Sequence, residues 1–595
     1  MKKKFVLIPL SALALMALAS CTGSEPFGLD PSGNVSGGTT HTDIIVDDTG
    51  SEPEVNNSGA FKVKTDDGTY SNEGSVYTLS AAGTYTLSGV LEDGQIIVNA
   101  PENAEVVIEL KGATINCSTD SPIKVLSADK VEISAKKDTV NLIDDKRSEK
   151  ASDNSELGEG AINAKCDLKF KGAGKLVVRG NYNNGIHTTK DFKFQKQELY
   201  VTAVNNAIKG KDSIFVSSGK ITAVSKKGNG FKTDNTDVSS SGNQRGSITV
   251  EGGTIIVDSV FDAFDAAYNV SVTQLEPAEG EELVETKITA KTGTYSTYCT
   301  NYNANSSSKG LKADNQIDIS GGVLAFQTTD DAIHANYGDA FDNGSTGLGN
   351  INVLGGQIGI ASGDDGIHAD NTLTISDGII DITGATEGIE ATHINIEGGS
   401  TCIYGNDDGV NASKKINETP TVKISGGFLD VSVRNGDTDG IDVNGNFEMT
   451  GGLVVSRGSS GSQKNLSTGL DCDGTAKIAG GTFIAFNGME KTPTKGTGVL
   501  YAAYNYTKAG IGGPGGGGPG GGGHPYAPAT GAMLGAGIYT LTGGEITKTF
   551  ENDLEYSNFI IYSSELVLNE SYALSKDGSA VLSWTQTSNS VTITK

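Results

Sequence analysis

The sequence is poor in aromatic, proline and basic residues. One of 595 residues is Trp and 13 are Pro, and aromatic residues make up 6% of the chain. Lysine and arginine number 45 against 72 aspartates and glutamates, which gives a formal net charge of −27. A nucleic-acid-binding domain needs a basic surface, so this charge argues against nucleic acid as a partner. It suits an exported, soluble protein that collects divalent cations such as calcium.

Long apolar runs are missing except at the N-terminus. Residues 1–20 are predicted to be a lipoprotein signal peptide, because three lysines precede an apolar run that ends in LASC, which resembles a bacterial lipobox. In that interpretation Cys21 is lipidated, whereas a plain secretory signal is the alternative. We therefore expect export and a lipid anchor to the bacterial cell envelope as the membrane contact. Residues 21–58, rich in Gly, Ser, Thr and Asp, are predicted to be a flexible tether.

Histidine and cysteine are too few and too scattered for a zinc site of the usual spacing. What the chain has in quantity is glycine, 81 residues, within a repeat. An apolar residue recurs after Gly or Ala, in half of the intervals 21 to 24 residues after the previous copy and in the others after a longer stretch, and we name these positions the anchors. They are Ile123, Ile162, Ile186, Ile208, Phe231, Phe264, Leu311, Ile333, Ile367, Ile389, Val410, Ile441 and Leu470.

The repeat predicts a solenoid of short strands. The apolar residues alternate with period two and are often β-branched, and glycines interrupt every burst, which argues against a helical solenoid. A second motif, apolar-x-Gly-Gly-x-apolar, follows most anchors, as in ISGGVLAF at residues 319–326. The fold prediction is all-β, a parallel β-helix of roughly 22-residue coils. It is a single large domain over residues 59–505, with a Gly/Pro-rich mobile loop at 506–530 and a terminal coil and β cap at 531–595.

Stacked coils bring acidic residues of different repeats into columns. The position two before the anchor, with the residue preceding it, is rich in acids, and neighbouring coils lie about 4.8 Å apart. Like charges at such spacing repel, and calcium, which takes six to eight oxygen ligands, is the expected neutraliser. The alternative is that Asp simply favours turns and faces solvent. The predicted calcium ligands are Asp212, Asp234, Asp237, Asp262, Asp265, Asp330, Asp331, Asp364, Asp365, Asp407 and Asp408.

A second column follows each anchor directly. Because the anchor is buried, strand alternation points the next residue outward, so these residues form a polar strip on one face. The candidate carbohydrate-binding residues on this strip are His187, Lys209, Lys232, Lys312, His334, His368 and Glu390. The alternative is an ordinary solvated sheet face.

Several of these strings resemble one bacterial family. GNYNNGIHT at 180–188, DDAIHA at 330–335 and DDGIHADNTLTISDG at 364–378 are similar to the calcium-binding, carbohydrate-binding β-helix proteins of polysaccharide-degrading bacteria. The resemblance covers about residues 60–505. It implies a right-handed parallel β-helix, related in fold to pectate lyases, that binds calcium and adheres to cellulose- or pectin-like polysaccharide.

Three functions follow from these patterns. The first is calcium-dependent binding of plant-type polysaccharide by a lipid-anchored monomer, with no catalytic residue. The second is a pectate-type lyase, in which a cation acidifies the substrate and a lysine takes the proton. Its candidate bases are Lys209, Lys211, Lys232, Lys309 and Lys312. The third is a structural surface adhesin without sugar specificity.

Overall fold

The computed structural model describes residues 50–277, 282–300, 306–434, 438–459, 467–505, 533–552 and 554–594. Within these ranges the chain is all-β, with 49 strands and one 3-10 turn at Gly293–Tyr295. No helix in this part of the chain is long and apolar enough to cross a membrane. The predicted signal peptide, the lipidation site Cys21, most of the tether and the loop at 506–530 lie outside the described residues.

Most strands pair in parallel with the corresponding strand of the next repeat, which generates three ladders. We name the first the anchor ladder, because its strands carry the anchors. Its strands are Val76–Leu79, Gln95–Asn99, Ile123–Ser127, Gly160–Ala164, Asn184–Thr188, Ile208–Gly210, Phe231–Lys232, Phe264–Ala266, Leu311–Ala313, Ile333–Ala335, Ile367–Ala385, Ile389–Ile396, Val410–Ala412 and Ile441–Val443.

The other two ladders complete each coil. The middle ladder has the strands Gly83–Leu91, Glu105–Cys117, Lys130–Ala135, Asp167–Gly172, Asp191–Phe194, Ser213–Val216, Ser247–Val250, Asn269–Val272, Gln316–Thr328, Asn350–Ser362, Thr421–Ile424, Asn446–Met449, Ala476–Ile478 and Thr494–Lys495, and the longest of these continue into the return ladder. The return ladder has the further strands Val140–Asp145, Lys175–Gly180, Glu198–Ala203, Lys220–Ser225, Gly253–Ser259, Thr286–Thr292, Ser400–Gly405, Phe428–Val433, Leu453–Arg457 and Thr482–Phe486.

The anchors stack directly on one another, as the repeat predicts. Ile186 pairs with Ile208, which pairs with Phe231, and the same register continues from Ile123 to Ile441. All of these side chains are fully buried in one continuous core. The 47-residue step from Phe264 to Leu311 keeps the register, so the extra residues leave the ladder intact.

The Gly-Gly motif marks a corner between the middle and return ladders. The second glycine has a positive φ in every copy, for example +97° at Gly356 and +75° at Gly427, a backbone conformation that residues with side chains rarely adopt.

The residue before the anchor is small for a different reason. A Cβ on Gly388 would lie 2.1 Å from a methyl group of Ile403, because a side chain of the return ladder already fills that space.

Antiparallel strands close both ends of the stack. At the N-terminal end, Lys62–Thr65 and Tyr70–Glu73 pair antiparallel with the first strands. At the C-terminal end, Asn558–Ser563 pairs antiparallel with Thr482–Phe486 and with Leu500–Asn505.

The remaining strands lie outside the three ladders. They are a hairpin of Tyr337–Ala340 and Thr346–Leu348, the strand Ser590–Ile593, and a four-stranded antiparallel sheet of Gly537–Gly543, Ile546–Asn552, Ser571–Lys576 and Ser579–Thr585. The chain is therefore a parallel, solenoid-like stack with antiparallel additions, whereas its right-handed winding stays a prediction.

Candidate functional site

The seven candidate carbohydrate-binding residues lie in one row on the anchor ladder. His187, Lys209, Lys232, Asp265, Lys312, His334, His368 and Glu390 pair in this order on successive coils. We name these eight residues the polar row. They alternate with the buried anchors and are themselves half-buried or buried rather than freely solvated, so their charges interact with each other.

The basic side chains of the polar row are already paired with acids. Lys209 lies 2.6 Å from Asp234, and Asp265 contacts both Lys232 and Lys312. Burial alone would raise the pKa of Asp265, but Lys312 and Lys232 outweigh it and hold that pKa below its usual range. Lysines in such pairs are not free to contact a sugar acid without first losing a partner.

Residues two before the anchors form a second line, which we name the corner column. In most copies one side-chain oxygen accepts the main-chain N–H of the corresponding residue on the next coil. The N–H of Asp262 donates to Asn229 at 3.0 Å, and the N–H of Asp439 donates to Asp408 at 2.8 Å. Buried N–H groups need an acceptor, so Asn and Asp serve equally well here. This structural role was not apparent from the sequence, where the acids were interpreted as metal ligands.

The predicted calcium ligands near the middle of the chain have basic or hydrogen-bonding partners. Arg245 lies 3.0 Å from Asp212 and 2.6 Å from Asp237, and both contacts fill positions that a cation would occupy. Asp262 accepts hydrogen bonds from the hydroxyl of Ser307 and the N–H of Lys309. In the described ranges, the groups with metal-ligand spacing lie further along the chain.

Five carboxylates converge where the coils of Ile333, Ile367 and Ile389 meet. They form two sets whose oxygens lie within 4.8 Å of one another, namely Asp330, Asp331 and Asp364, and Asp364, Asp365 and Glu387. The ammonium group of Lys309 already lies 2.6 Å from Asp330 and 2.9 Å from Asp331. We name Asp364, Asp365 and Glu387 the carboxylate cluster, because within the described chain neither Asp364 nor Glu387 has a lysine or arginine ion pair.

The protonation of the carboxylate cluster reflects this lack of cations. Burial, a hydrogen bond shared with Asp365 and repulsion from Asp365 and Asp407 raise the pKa of Glu387 to about 8. Asp364 is exposed on one side, and partial burial of its carboxylate among Asp331, Asp330 and Glu387 raises its pKa as well. Glu387 lies two residues before an anchor, in the same column as Asp365, but it was not among the predicted ligands.

Acids continue beyond the carboxylate cluster toward the C-terminal end. Burial together with repulsion from Asp442, Asp439 and Asp407 raises the pKa of Asp408 to about 8. Burial also raises the pKa of Asp439 to about 7 and that of Asp442 to about 6, with repulsion from Asp471 contributing to both. Asp407, the remaining predicted ligand, is exposed beside them.

Two histidines of the polar row stack on each other beside the carboxylate cluster. The ring centroids of His334 and His368 are 4.4 Å apart with an interplanar angle of 19°. His334 Nδ1 lies 2.5 Å from Asp331, and His368 Nδ1 lies 2.8 Å from Asp365. Burial alone would lower the pKa of His368, but the attraction of Asp365 and other acids outweighs it and raises that pKa to about 10. In contrast, burial and Lys209 lower the pKa of His187 to about 4.

Comparison with known proteins identifies the family. A family model described as "Carbohydrate-binding domain-containing protein" matches residues 73–350 and 339–491, which together include most of the three ladders. The chain belongs to this family.

One related protein and one solved structure are similar to parts of the chain. A carbohydrate-binding domain-containing protein of Acetivibrio thermocellus is 32% identical over 206 residues, which is 34% of this chain and 66% of that protein. The chain thus matches just under two thirds of that relative's length. A solved structure titled "Structure of the polysaccharide lyase-like protein from C. thermocellum, Gadolinium derivative" is 30% identical, covers 38% of this chain and 84% of its own, and superimposes with a TM-score of 0.33.

Four of the five candidate lyase bases are paired with acids, and the fifth, Lys211, is exposed. The pKa values of Lys309 and Lys312 are raised, because attraction to Asp331 and Asp330 at Lys309, and to Asp265 at Lys312, outweighs the effect of burial. Lys209 and Lys232 are paired with acids, and Lys211 is exposed. A general base needs a neutral amine, so the pairing with acids acts against base catalysis at Lys309 and Lys312.

Proposed function

We propose that this protein binds acidic polysaccharide, such as a polygalacturonate-like polymer, through calcium held at the carboxylate cluster. The observation that carries the proposal is the grouping of Asp364, Asp365 and Glu387, three carboxylates on adjacent coils without a lysine or arginine partner. Binding takes place on a right-handed parallel β-helix anchored to the cell envelope by a lipid on Cys21. The family description supports a carbohydrate partner, and the geometry supports the cation.

Calcium suits this cluster better than a lysine or arginine would. It accepts six to eight oxygens, including carboxylates, carbonyls and water, in a flexible geometry. The three carboxylates supply at most six oxygens, and the exposed Asp364 leaves one side of the ion open to solvent. A uronate carboxylate from the polymer fits that open side. Calcium binding also removes the repulsion that raises the pKa of Glu387.

The charge balance explains why the sugar contact depends on a cation. With a net charge of −27, the protein repels a polyuronate unless a divalent ion bridges the two. The lysines of the polar row are occupied by Asp234 and Asp265, so they do not replace calcium in this role. Neutral cellulose is the less favoured ligand, because only 6% of the residues carry aromatic rings for stacking on flat sugar faces.

Calcium titration and affinity electrophoresis in polygalacturonate gels test the proposal. The wild-type protein is expected to be retarded with calcium and to run freely with chelator. Glu387→Gln and Asp364→Asn are expected to weaken calcium binding at least tenfold and to abolish retardation. Asp377→Asn is the matched control, since Asp377 is an exposed corner acid on another ladder whose acceptor role for the N–H of Gly378 an amide retains. Unchanged calcium affinity in Glu387→Gln would refute the site.

The same protein, polymer and chelator distinguish carbohydrate binding from the two other candidate functions. A lyase would release unsaturated uronate products over time, and loss of product on Lys309→Ala or Lys312→Ala would overturn the binding proposal. An adhesin without sugar specificity would bind a glycan array equally with and without chelator. We expect no product and a chelator-sensitive preference for acidic glycans.

A further inference from the structure

The stacked histidines have a hydrogen-bonding arrangement that carbohydrate binding does not explain. His334 and His368 occupy the same row position on adjacent coils, and each follows an acid three residues earlier, Asp331 or Asp365. Both Nδ1 atoms therefore face carboxylates. Glu390, the next residue of the polar row, adds a third carboxylate 3.4 Å from His368 Nδ1.

The opposite edges of both rings face one further acid. Asp370 Oδ1 lies 3.4 Å from His368 Nε2 and 3.9 Å from His334 Nε2. The other oxygen of Asp370 accepts the N–H of Tyr337 at 2.8 Å, which fixes the carboxylate in this position. His368 Nε2 is buried and has no partner with hydrogen-bond geometry. A buried polar atom of this kind costs free energy unless another state of the site satisfies it.

We propose that Asp331, His334 and His368 bind a transition-metal ion of the zinc type, with the fourth position of a tetrahedral site left to water. One ligand atom each of Asp331, His334 and His368 lies within 4.8 Å of the others, and the same holds for Asp365, His368 and Glu390. With the metal on the Nδ1 side, each imidazole carries its proton on Nε2, the edge that faces Asp370, which is 3.4 Å away at His368. Metal-ligating histidines characteristically donate their other N–H to such a carboxylate, which fixes the tautomer.

The chemistry of this set separates it from the calcium proposal. Calcium prefers oxygen ligands, whereas imidazole nitrogens with one or two carboxylates favour zinc and related ions. The site is also accessible, because His334 is 13% exposed and Asp370 26% exposed. A metal ion would replace the proton between Asp331 and His334 and widen their separation to about 3.4 Å, as tetrahedral bonds of about 2.1 Å require.

Cobalt(II) alone is the first probe, because the intensity of its visible absorption distinguishes a tetrahedral site from a six-coordinate one. The full chain, stripped with chelator, is expected to bind one Co²⁺ per molecule with a tetrahedral-type spectrum. Zn²⁺ is expected to displace it at equimolar concentration and Ca²⁺ is not expected to do so at a hundredfold excess. Absence of a spectrum, or displacement by calcium, overturns the proposal.

Variants distinguish this site from the calcium site. His334→Gln and Asp370→Asn are expected to weaken Co²⁺ binding at least tenfold and to leave calcium-dependent retardation unchanged, whereas Glu387→Gln does the reverse. His393→Gln is the control, since His393 contacts Thr421 and Glu418 instead. Melting curves of each variant without metal show that it is folded. Equal loss of Co²⁺ binding in His393→Gln, or retention in His334→Gln, rejects the assignment.

Discussion

Replacing Asp408 with asparagine is expected to stabilise the protein at alkaline pH and not at acidic pH. One oxygen of Asp408 accepts the N–H of Asp439 at 2.8 Å, and an asparagine oxygen can do the same. The chain itself shows this exchange, since Asn206 and Asn229 occupy equivalent positions with equivalent hydrogen bonds. The substitution therefore removes the charge and keeps the contact.

The expected size follows from the raised pKa of Asp408. Burial and repulsion from Asp442 and Asp439 raise it from 3.8 to about 8. Because the folded state keeps the proton longer than the unfolded state, wild-type stability falls as pH rises from about 4 to 8. Each pKa unit corresponds to about 1.4 kcal/mol. Partial exposure of Asp408 and screening by solvent reduce the full electrostatic cost. We therefore expect the free energy of unfolding of the variant to exceed that of the wild type by about 2 kcal/mol at pH 9.

Urea unfolding with chelator, at pH 5 and pH 9, measures this difference. Asp408→Asn should match the wild type at pH 5 and exceed it at pH 9. Asp408→Ala is the control, because it removes the charge but also leaves the N–H of Asp439 without its acceptor, which costs about 1–3 kcal/mol at both pH values. An asparagine variant with the same stability difference from wild type at both pH values would refute the reasoning.

Three further outcomes are expected. Gly388→Ala should lower the free energy of unfolding by about 1–3 kcal/mol, because its Cβ would meet Ile403, whereas Gly384→Ala, with open space around it, should change little in the same urea assay. Arg245→Ala should cost about 2 kcal/mol, since it removes a cation from buried Asp212, and Arg245→Lys should recover part of that loss. In scanning calorimetry with chelator, the melting temperature should fall between pH 5 and pH 9, because folded acids with raised pKa values release protons over this range. Excess calcium should remove part of the fall in the wild type but not in Glu387→Gln.

The stacking of the coils was accessible from the sequence because it depends on a period. Anchors such as Ile186 and Ile208 recur after 21 to 24 residues in half of the steps, and the longer steps keep the same motif, so their register, and that of the polar row, follows once the ladders are assumed. The Gly-Gly corners could also be predicted from the sequence, because the positive φ at positions such as Gly427 leaves few alternatives to glycine. The family resemblance, stated from the same strings, is confirmed as far as a carbohydrate-binding domain family, whereas its calcium and pectin specificity stays a prediction.

The pairing of individual charges was not accessible, because it depends on residues outside the repeat. Arg245 lies in the insertion between the coils of Phe231 and Phe264, so nothing in the alignment placed it against Asp212. Asp370 follows its strand's row position by two residues, and its approach to both imidazoles requires the actual path of the strand Ile367–Ala385. The repeat predicts which residues of adjacent coils are neighbours. It does not predict which oxygen of each acid accepts a main-chain N–H.

The antiparallel strands at the two ends of the stack have a consequence for how copies of the protein meet. A parallel ladder ends in a row of open N–H and C=O groups, and a second molecule could extend it indefinitely. Here Lys62–Thr65 and Asn558–Ser563 run against the direction that a further coil would need. Head-to-tail growth into fibres is thereby discouraged by chain direction alone, and the length of the rod is set within a single polypeptide.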